Sequence, residues 1–394
     1  MNRFDMMVLK PFELDAKFCE QLRGLLVQAG VWPADVSLDE RGGCVEVGYP
    51  PGGTGVAGAE PPATRPHLQI RRILGGANNA VFRVDLPDRV LLLKQFFSAA
   101  SDDRDRYGAE IALVEFAWRH GIRAVPQLLA CSREGRLALL EFLKGRPVAA
   151  AEVDESLLQQ AVRFCQQLQA VQADPAARSL PTAAEACFSV DQHLACLERR
   201  LARLRLIPLE SDLQREALHF VQSELEPRWR DIRSRVLVGC QATGIRPEQA
   251  LEQRDRCLSP SDFGFHNALL EAHGNLRFFD FEYAGWDDPA KLVCDFFCQV
   301  EVPVPRRFLG SFANGIASGL PIPARLLNRI DLLLPVFQLK WCCIILNEFL
   351  PAGRSRRRFS SPDLRPERRP EVQLQKARRL LEDLNRDSPA DPAQ

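Results

Sequence analysis

Two stretches of the chain, "SPSDFGFHNALL" (259–270) and "LRFFDFEYAGWDDP" (276–289), carry the polar residues most suggestive of a reaction. Asp262 is followed five residues on by Asn267, and Asp280 closes a hydrophobic run. Each alone is an ordinary turn or loop-starting residue, so their interest lies in whether they form one constellation. A third stretch, "ILGGANNAVFRV" (73–84), sets Gly75 and Gly76 between two strand-like runs. Without a Cβ the backbone there can turn tightly and bring amide N–H groups to phosphate oxygens, although the same pair also makes a plain hairpin turn. Lys94 ends "VLLLK", a run that otherwise reads as buried; it is either a phosphate ligand or a strand-end charge reaching water. Glu110, in "RYGAEIALVEF", lies beside the apolar face marked by Ile111, Val114 and Trp118 and is placed to hold Lys94, with Glu115 the competing acid. GxxxxGK[ST] does not occur, and the one GxGxxG string, GTGVAG at 53–58, falls in a Gly/Pro-rich stretch and not between a strand and a helix as a dinucleotide fingerprint would.

The elements that must position these residues are legible from periodicity. Residues 12–30 read as a helix closed by Gly30, and residues 50–66, with nine Gly or Pro in seventeen, as a flexible linker. Short β-like runs follow in "HLQIRRILGG", "NAVFRVDLPD", "RVLLLKQFF" and, around a Ser-Arg-Glu-Gly turn, "PQLLACSREGRLALLEFLKG". With the helix at 102–122, these five strands predict a compact first lobe. From about residue 147, apolar residues three and four apart predict a second, mainly helical lobe. The expected divisions are 1–65 (helix and linker), 66–146 (small lobe and hinge), 147–350 (large lobe) and 351–394 (Arg/Pro-rich segment and a final helix). The seven arginines of 354–369 read as a solvated loop offset by Asp363, Glu367 and Glu371.

Composition narrows the function classes. The 394 residues are 46% hydrophobic and 26% charged, which suits a globular protein with a sizeable core. Lys+Arg and Asp+Glu are both 51, so no basic field suggests nucleic acid. The N-terminus lacks a signal-peptide pattern, and "LLLPVFQLKWCCIIL" is broken by Pro335, Gln338 and Lys340, so no membrane segment and a cytoplasmic location are expected. The twelve cysteines include no CxxC pair, and no His lies at zinc-ligand spacing from Cys294 and Cys298 or from Cys342–Cys343; they read as buried, reduced thiols.

In order along the chain stand a Gly-rich turn, a strand Lys, a helix Glu, the linker strand "LALLEFLKG", D-x4-N and a strand ending in D-F-E. This set resembles the aminoglycoside phosphotransferase/choline kinase family over about residues 68–350, with "ILGGANNAVFRV" and "FFDFEYAGWDDPAKLVCDF" matching its signature stretches closely. The resemblance implies an α+β, bilobal protein-kinase-like fold: a small five-stranded β lobe with one helix and a larger, mainly helical lobe. It implies ATP and Mg²⁺ as cofactors and a small-molecule hydroxyl acceptor. By the same resemblance, Asp262 accepts or orients the acceptor proton, Asn267 and Asp280 bind Mg²⁺, and Lys94, paired with Glu110, holds the α/β phosphates. Gly75, Gly76 and Asn78 would lie in the nucleotide turn, and Glu141, Phe142 and Leu143 would offer backbone groups to adenine. Asp295 is read as bracing the catalytic loop and His266 as structural. Pro260-Ser261 departs from the family's His-Gly before the catalytic aspartate, so the bracing of that loop must differ.

The expected activity is ATP-dependent phosphorylation of a sugar-like or aminoglycoside-like hydroxyl. Three Tyr and five Trp, scattered, offer no obvious aromatic cage for a quaternary ammonium, which places a choline/ethanolamine-type kinase second. A catalytically inactive binding protein of the same fold is the reading from another class; joint retention of Lys94, Asp262, Asn267 and Asp280 argues against it. The D-F-E and the immediate Asp288-Pro289 leave no room for a protein kinase's activation segment. Oligomeric state is not legible.

Overall fold

The computed structural model describes residues 9–10, 16–33, 44–45, 68–73, 78–98, 104–351 and 369–387. Gly75 and Gly76, the 50–66 linker and most of the Arg/Pro-rich segment lie outside the described residues.

The small lobe is one antiparallel sheet. Its strands are β1 (Leu9–Lys10), β2 (Cys44–Val45), β3 (Leu68–Ile73), β4 (Ala80–Asp85), β5 (Val90–Gln95), β6 (Leu128–Ser132) and β7 (Leu137–Glu141). They run in the order β1-β3-β4-β5-β7-β6, with β2 also pairing with β3. The five expected strands are all present, and two-residue β1 and β2 extend the sheet at the β3 edge. Strand alternation gives the two faces different work. Leu91 and Leu93 of β5 join Phe82, Val84, Leu137 and Leu139 on one face, while Leu92 and Lys94 stand on the other.

Helix α1 (Ala16–Gln28) covers the first face. Its Phe18, Cys19, Leu22, Leu25 and Leu26 are buried in one core with the sheet, and Gly30 at φ +68° ends it in the left-handed conformation that glycine adopts without strain. Helix α2 (Arg106–Arg119), capped by Asp105 accepting from the Gly108 N–H, lies between β5 and β6 and packs on the second face.

The large lobe contains β8 (Arg146–Pro147), α3 (Glu155–Val171), α4 (Val190–Leu204), α5 (Asp212–Phe220), α6 (Glu226–Thr243), β9 (Cys257–Ser259), β10 (Ala268–Leu270), β11 (Leu276–Phe278), β12 (Gly285–Asp287), α7 (Pro289–Cys298), α8 (Leu309–Ala317), α9 (Pro323–Leu346) and α10 (Arg369–Asp387). Small antiparallel pairings, β9 with β12 and β10 with β8 and β11, carry the two polar stretches. Helix α9 is central, packing on α10, α7, α4 and α6. By length and composition Pro323–Phe349 is apolar enough to cross a membrane, contrary to the reading that Pro335, Gln338 and Lys340 make it too polar; 67% of that window is buried in the protein. The eleven described cysteines are free thiols, all buried except Cys131.

Helix α1 thus belongs to the small lobe's core, and Leu22 is fully buried in it. Leu22→Ala is expected to lower the free energy of unfolding by about 2–5 kcal/mol, the cost of a cavity in a packed core. Urea denaturation followed by circular dichroism checks this; a loss under about 0.5 kcal/mol, the surface-substitution range, would mean that α1 is a dispensable cover.

Candidate active site

A cavity of about 610 Å³ opens where the lobes meet, and Lys94, Glu110, Asp262, Asn267 and Asp280 all border it. Lys94 is its electrostatic centre. The alternation of β5 turns this side chain away from the α1 face and towards α2, where Nζ donates to Glu110 Oε2 at 2.5 Å and to Asp280 Oδ1 at 2.6 Å. Glu110, not the exposed Glu115, is the partner. Burial would push the Lys94 ammonium down, but Asp280, Glu110 and Glu282 together outweigh it and keep the lysine protonated. The acids bear the complementary strain: burial, with the charges of Asp280 and Glu282, raises Glu110 to about 7 in spite of Lys94.

The D-F-E segment is a junction between lobes. Asp280, just past β11, adopts φ +69°, a conformation that Asp tolerates better than most residues. Two residues on, buried Glu282 accepts from Asn78 and Asn79 (both 2.6 Å) and from Arg106 Nη1 (2.9 Å). The Tyr283 hydroxyl accepts from Asn78 (3.0 Å) and from Arg106. Asn78 therefore borders the cavity with its amide nitrogen already committed to the large lobe. Glu282, Arg106 and Asn79 were missed in the sequence; the signal was the last letter of D-F-E, an acid directly after a buried phenylalanine.

Asp262 follows β9 in a loop and is part-exposed, with Oδ1 3.3 Å from His266 Nε2. Burial alone would raise its pKa, but the bond to His266, with Asn267 and Lys291 adding, lowers it, so the carboxylate is ionised at neutral pH. His266 thus touches the acid. Asn267 Nδ2 donates to the Asp262 carbonyl at 2.9 Å and its own carbonyl accepts from the Phe279 N–H at 3.0 Å, which ties the loop to the residue before Asp280.

The loop is braced by residues that replace the family's usual pair. Ser261, at φ +67°, receives its backbone hold from Ser259 Oγ (2.9 Å), and its hydroxyl accepts from Lys291 Nζ at 2.8 Å. Lys291, buried on α7, also contacts Asp287 at 2.6 Å and Asp295 at 3.6 Å. Asp295 accepts from Trp341 Nε1 at 2.8 Å, so it braces the loop through Lys291. Asp288 caps α7 and binds Arg329 (2.7 Å) and His193 (2.9 Å). Lys291 was missed, although its place four residues after Asp287 is the spacing of a helical ion pair, and a lysine in an apolar helix needs a partner.

At the end of β7 and just beyond it, Glu141 and Leu143 border the cavity, whereas Phe142 is buried with Arg83 over its ring at 5.1 Å. The Glu141 carboxylate is held by Arg277 at 2.8 Å. Among the described residues no cluster of three or more His, Cys, Asp or Glu has metal-ligand geometry. The donor set nevertheless suits a hard divalent ion that takes most of its ligands from phosphate and water: one side-chain oxygen each from Asn267 and Asp280 remains beyond the bonds just described, and one lysine faces three carboxylates.

A family model described as the phosphotransferase enzyme family matches residues 69–327. Among solved structures, a spectinomycin phosphotransferase in complex with ADP and spectinomycin is similar with a TM-score of 0.53 at 11% identity, covering 80% of this chain and 93% of that one. The ethanolamine kinase of Plasmodium vivax gives 0.51 at 12% identity over 79% and 82%. At such identities the likeness speaks for the fold alone, which is protein-kinase-like. The curated proteins contain no match. Since the family match spans well over half of the chain and the cavity gathers the residues of its signature stretches, the protein belongs to the phosphotransferase enzyme family and is a phosphotransferase with an alcohol group as acceptor.

Proposed function

We propose that the protein is an ATP- and Mg²⁺-dependent small-molecule kinase that phosphorylates a hydroxyl of a sugar-like or aminoglycoside-like acceptor. The observation that carries this reading is the Lys94 ammonium bonded to both Glu110 and Asp280 on the cavity that also holds Asp262 and Asn267. Phosphoryl transfer asks the protein mainly to align the reactants and neutralise phosphate charge. Lys94, oriented by Glu110, binds the α/β phosphates; Asp280 and Asn267 would hold Mg²⁺, which would supply charge neutralisation to the phosphates. Asp262 accepts the proton from the acceptor hydroxyl as its oxygen bonds to the γ-phosphorus and the bond to ADP breaks. Glu141, Phe142 and Leu143 form the hinge beside adenine, Glu141 and Leu143 from the cavity wall, and phosphate binding by Gly75 and Gly76 is carried by the sequence resemblance alone.

The acceptor class rests on the far wall. Asp295, Glu301, Lys340, Asn347 and Gln373 present hydrogen-bonding groups there, with one indole, Trp341, already donating to Asp295. That lining favours an acceptor rich in hydroxyl or amino groups over a quaternary ammonium, which needs several aromatic faces.

Asp262→Asn keeps size and local hydrogen bonding but removes the proton acceptor. Turnover is expected to fall about a hundredfold or more, the scale of general acid–base groups, with nucleotide affinity and melting temperature unchanged. An ATP-consumption screen against sugars, amino alcohols and aminoglycosides, with product mass, supplies the assay; wild-type turnover in the folded variant would sink the mechanism.

MgATP analogues are expected to raise the melting temperature, since a ligand of the native state stabilises it, and Asp280→Ala to abolish the Mg²⁺-dependent part of the rise. An Asp280→Ala protein with an undiminished Mg²⁺ effect would exclude Asp280 as a ligand. Glu110→Gln should lower turnover by roughly tenfold or more, whereas Glu115→Gln, on an exposed position, should leave it near normal. Equal kinetic effects from the two would remove the Lys94–Glu110 pair from the mechanism.

A further inference from the structure

Beside the main cavity lies a smaller pocket of about 290 Å³, and the two share Glu185, Arg200 and Arg203 on their walls. Cys187 and Cys196 border the smaller one. They are 5% and 6% exposed, whereas Cys240, Cys257, Cys294 and Cys342 are fully buried. Their mutual placement follows from helix geometry. The Cys187 sulfur lies 3.4 Å from the carbonyl oxygen of Gln192, the group that closes the helical turn with the Cys196 N–H. A helical Cα–Cβ bond tilts towards the N-terminus, so the Cys196 side chain leans over that same turn and towards Cys187. Arg199, Arg200 and Arg203 stand three, four and seven residues after Cys196 and share its face of α4. Arg200 is paired with Glu185, while Arg199 and Arg203 have no carboxylate partner among the described residues.

We propose that Cys187 and Cys196 are a thiol pair that exchanges with a small anionic disulfide and closes reversibly into an internal disulfide, with the arginine stripe drawing the anionic reagent in. Cys196 is the attacking sulfur: it stands on the arginine-bearing face of α4, while the Cys187 thiol is engaged with the Gln192 carbonyl, and the Cys187 thiol, with Lys340 and Arg200, lowers Cys196 against burial and Glu185 while Cys187 is raised. Cys196 thiolate attacks one sulfur of the reagent, forming a mixed disulfide and releasing the other half as a thiolate. Cys187 then gives up its proton and attacks Cys196 Sγ, expelling the second half. The protein dithiol loses two electrons, the reagent gains them, and the two thiol protons pass to the two released thiolates.

The consequence for the main cavity is mechanical. Glu185, held at φ +55°, is two residues from Cys187, and Arg200 is one turn from Cys196, so the ion pair on the cavity wall is flanked by both sulfurs. The loop carrying Glu185 is pinned to the strand after Asp280 by Ala184 N–H to the Tyr283 carbonyl and Ala183 N–H to the Trp286 carbonyl, both 2.9 Å. A Cβ on Gly285 would meet the Pro181 carbonyl at 2.2 Å, which shows how closely the backbones approach.

The test treats the reduced full-length protein with glutathione disulfide and maps adducts and linkages by mass spectrometry. The expected result is a dominant Cys187–Cys196 linkage, reversed by dithiothreitol. Cys187→Ser should stop at a glutathione adduct on Cys196, and Cys196→Ser should take up none at Cys187. Iodoacetate at pH 7 should alkylate Cys196 in the wild type and leave the fully buried Cys240, Cys257, Cys294 and Cys342 unmodified. Melting curves verify that the serine variants are folded; if one is not, the wild-type linkage map and alkylation pattern decide. Adducts confined to Cys131, a dominant linkage between other cysteines, or identical adducts in the two serine variants would overturn the proposal.

Discussion

The site depends on one constraint: a single buried ammonium must serve carboxylates delivered by separate parts of the fold. Lys94 comes from the sheet, Glu110 from α2 and Asp280 from the large lobe, and Lys94 bonds to both at short range. A charge so placed is costly unless paired, so sheet, helix and strand end must all be correctly docked before the lysine is satisfied. The Glu282–Arg106–Tyr283 cluster repeats the device a few residues away, again joining α2 to the segment after β11. Lobe docking and charge placement are therefore the same structural event.

The loop that carries Asp262 is held by contacts of its own. Where the family's His-Gly would stand, the chain has Pro260-Ser261, and the serine hydroxyl meets a lysine from α7. Lys291 is in turn held by Asp287 and, more loosely, by Asp295. The lysine reaches across to neutralise buried acids and donates to the loop in the same stroke. Asp262 is thereby left part-exposed on the cavity, with His266 against its carboxylate.

The far wall of the cavity is built largely outside the stretch that matches the family model. Trp341, Asn347 and Gln373 come from the end of α9, the turn beyond it and α10, all after residue 327. The residues around the phosphate end lie within the match. The two-cysteine pocket adjoins this cavity, with Glu185 and Arg200 bordering both hollows.

Much of this was readable in one dimension. The two-residue alternation of β5, the caps of α2 and α7 and the order of polar motifs are local properties, and local steric and hydrogen-bonding rules act on neighbours along the chain. They were enough for two lobes and five strands; the set Lys94, Glu110, Asp262, Asn267 and Asp280 came from the order of the motifs and the resemblance it carries, with Glu115 left as a competing acid. The choice of Glu110 over Glu115 was not readable, because both lie on one helix and only its docking angle decides which acid faces the sheet. Nor was the place of α1, whose amphipathic face could cover any apolar surface until the sheet offered one. The partners of Ser261 and Glu282 and the approach of Cys187 to the turn below Cys196 join residues far apart in sequence or on different elements. The sequence by itself determined the elements and the chemical groups they carry; tertiary packing alone decided which groups meet, because burial makes each charge find whatever counter-charge the folded chain brings within reach.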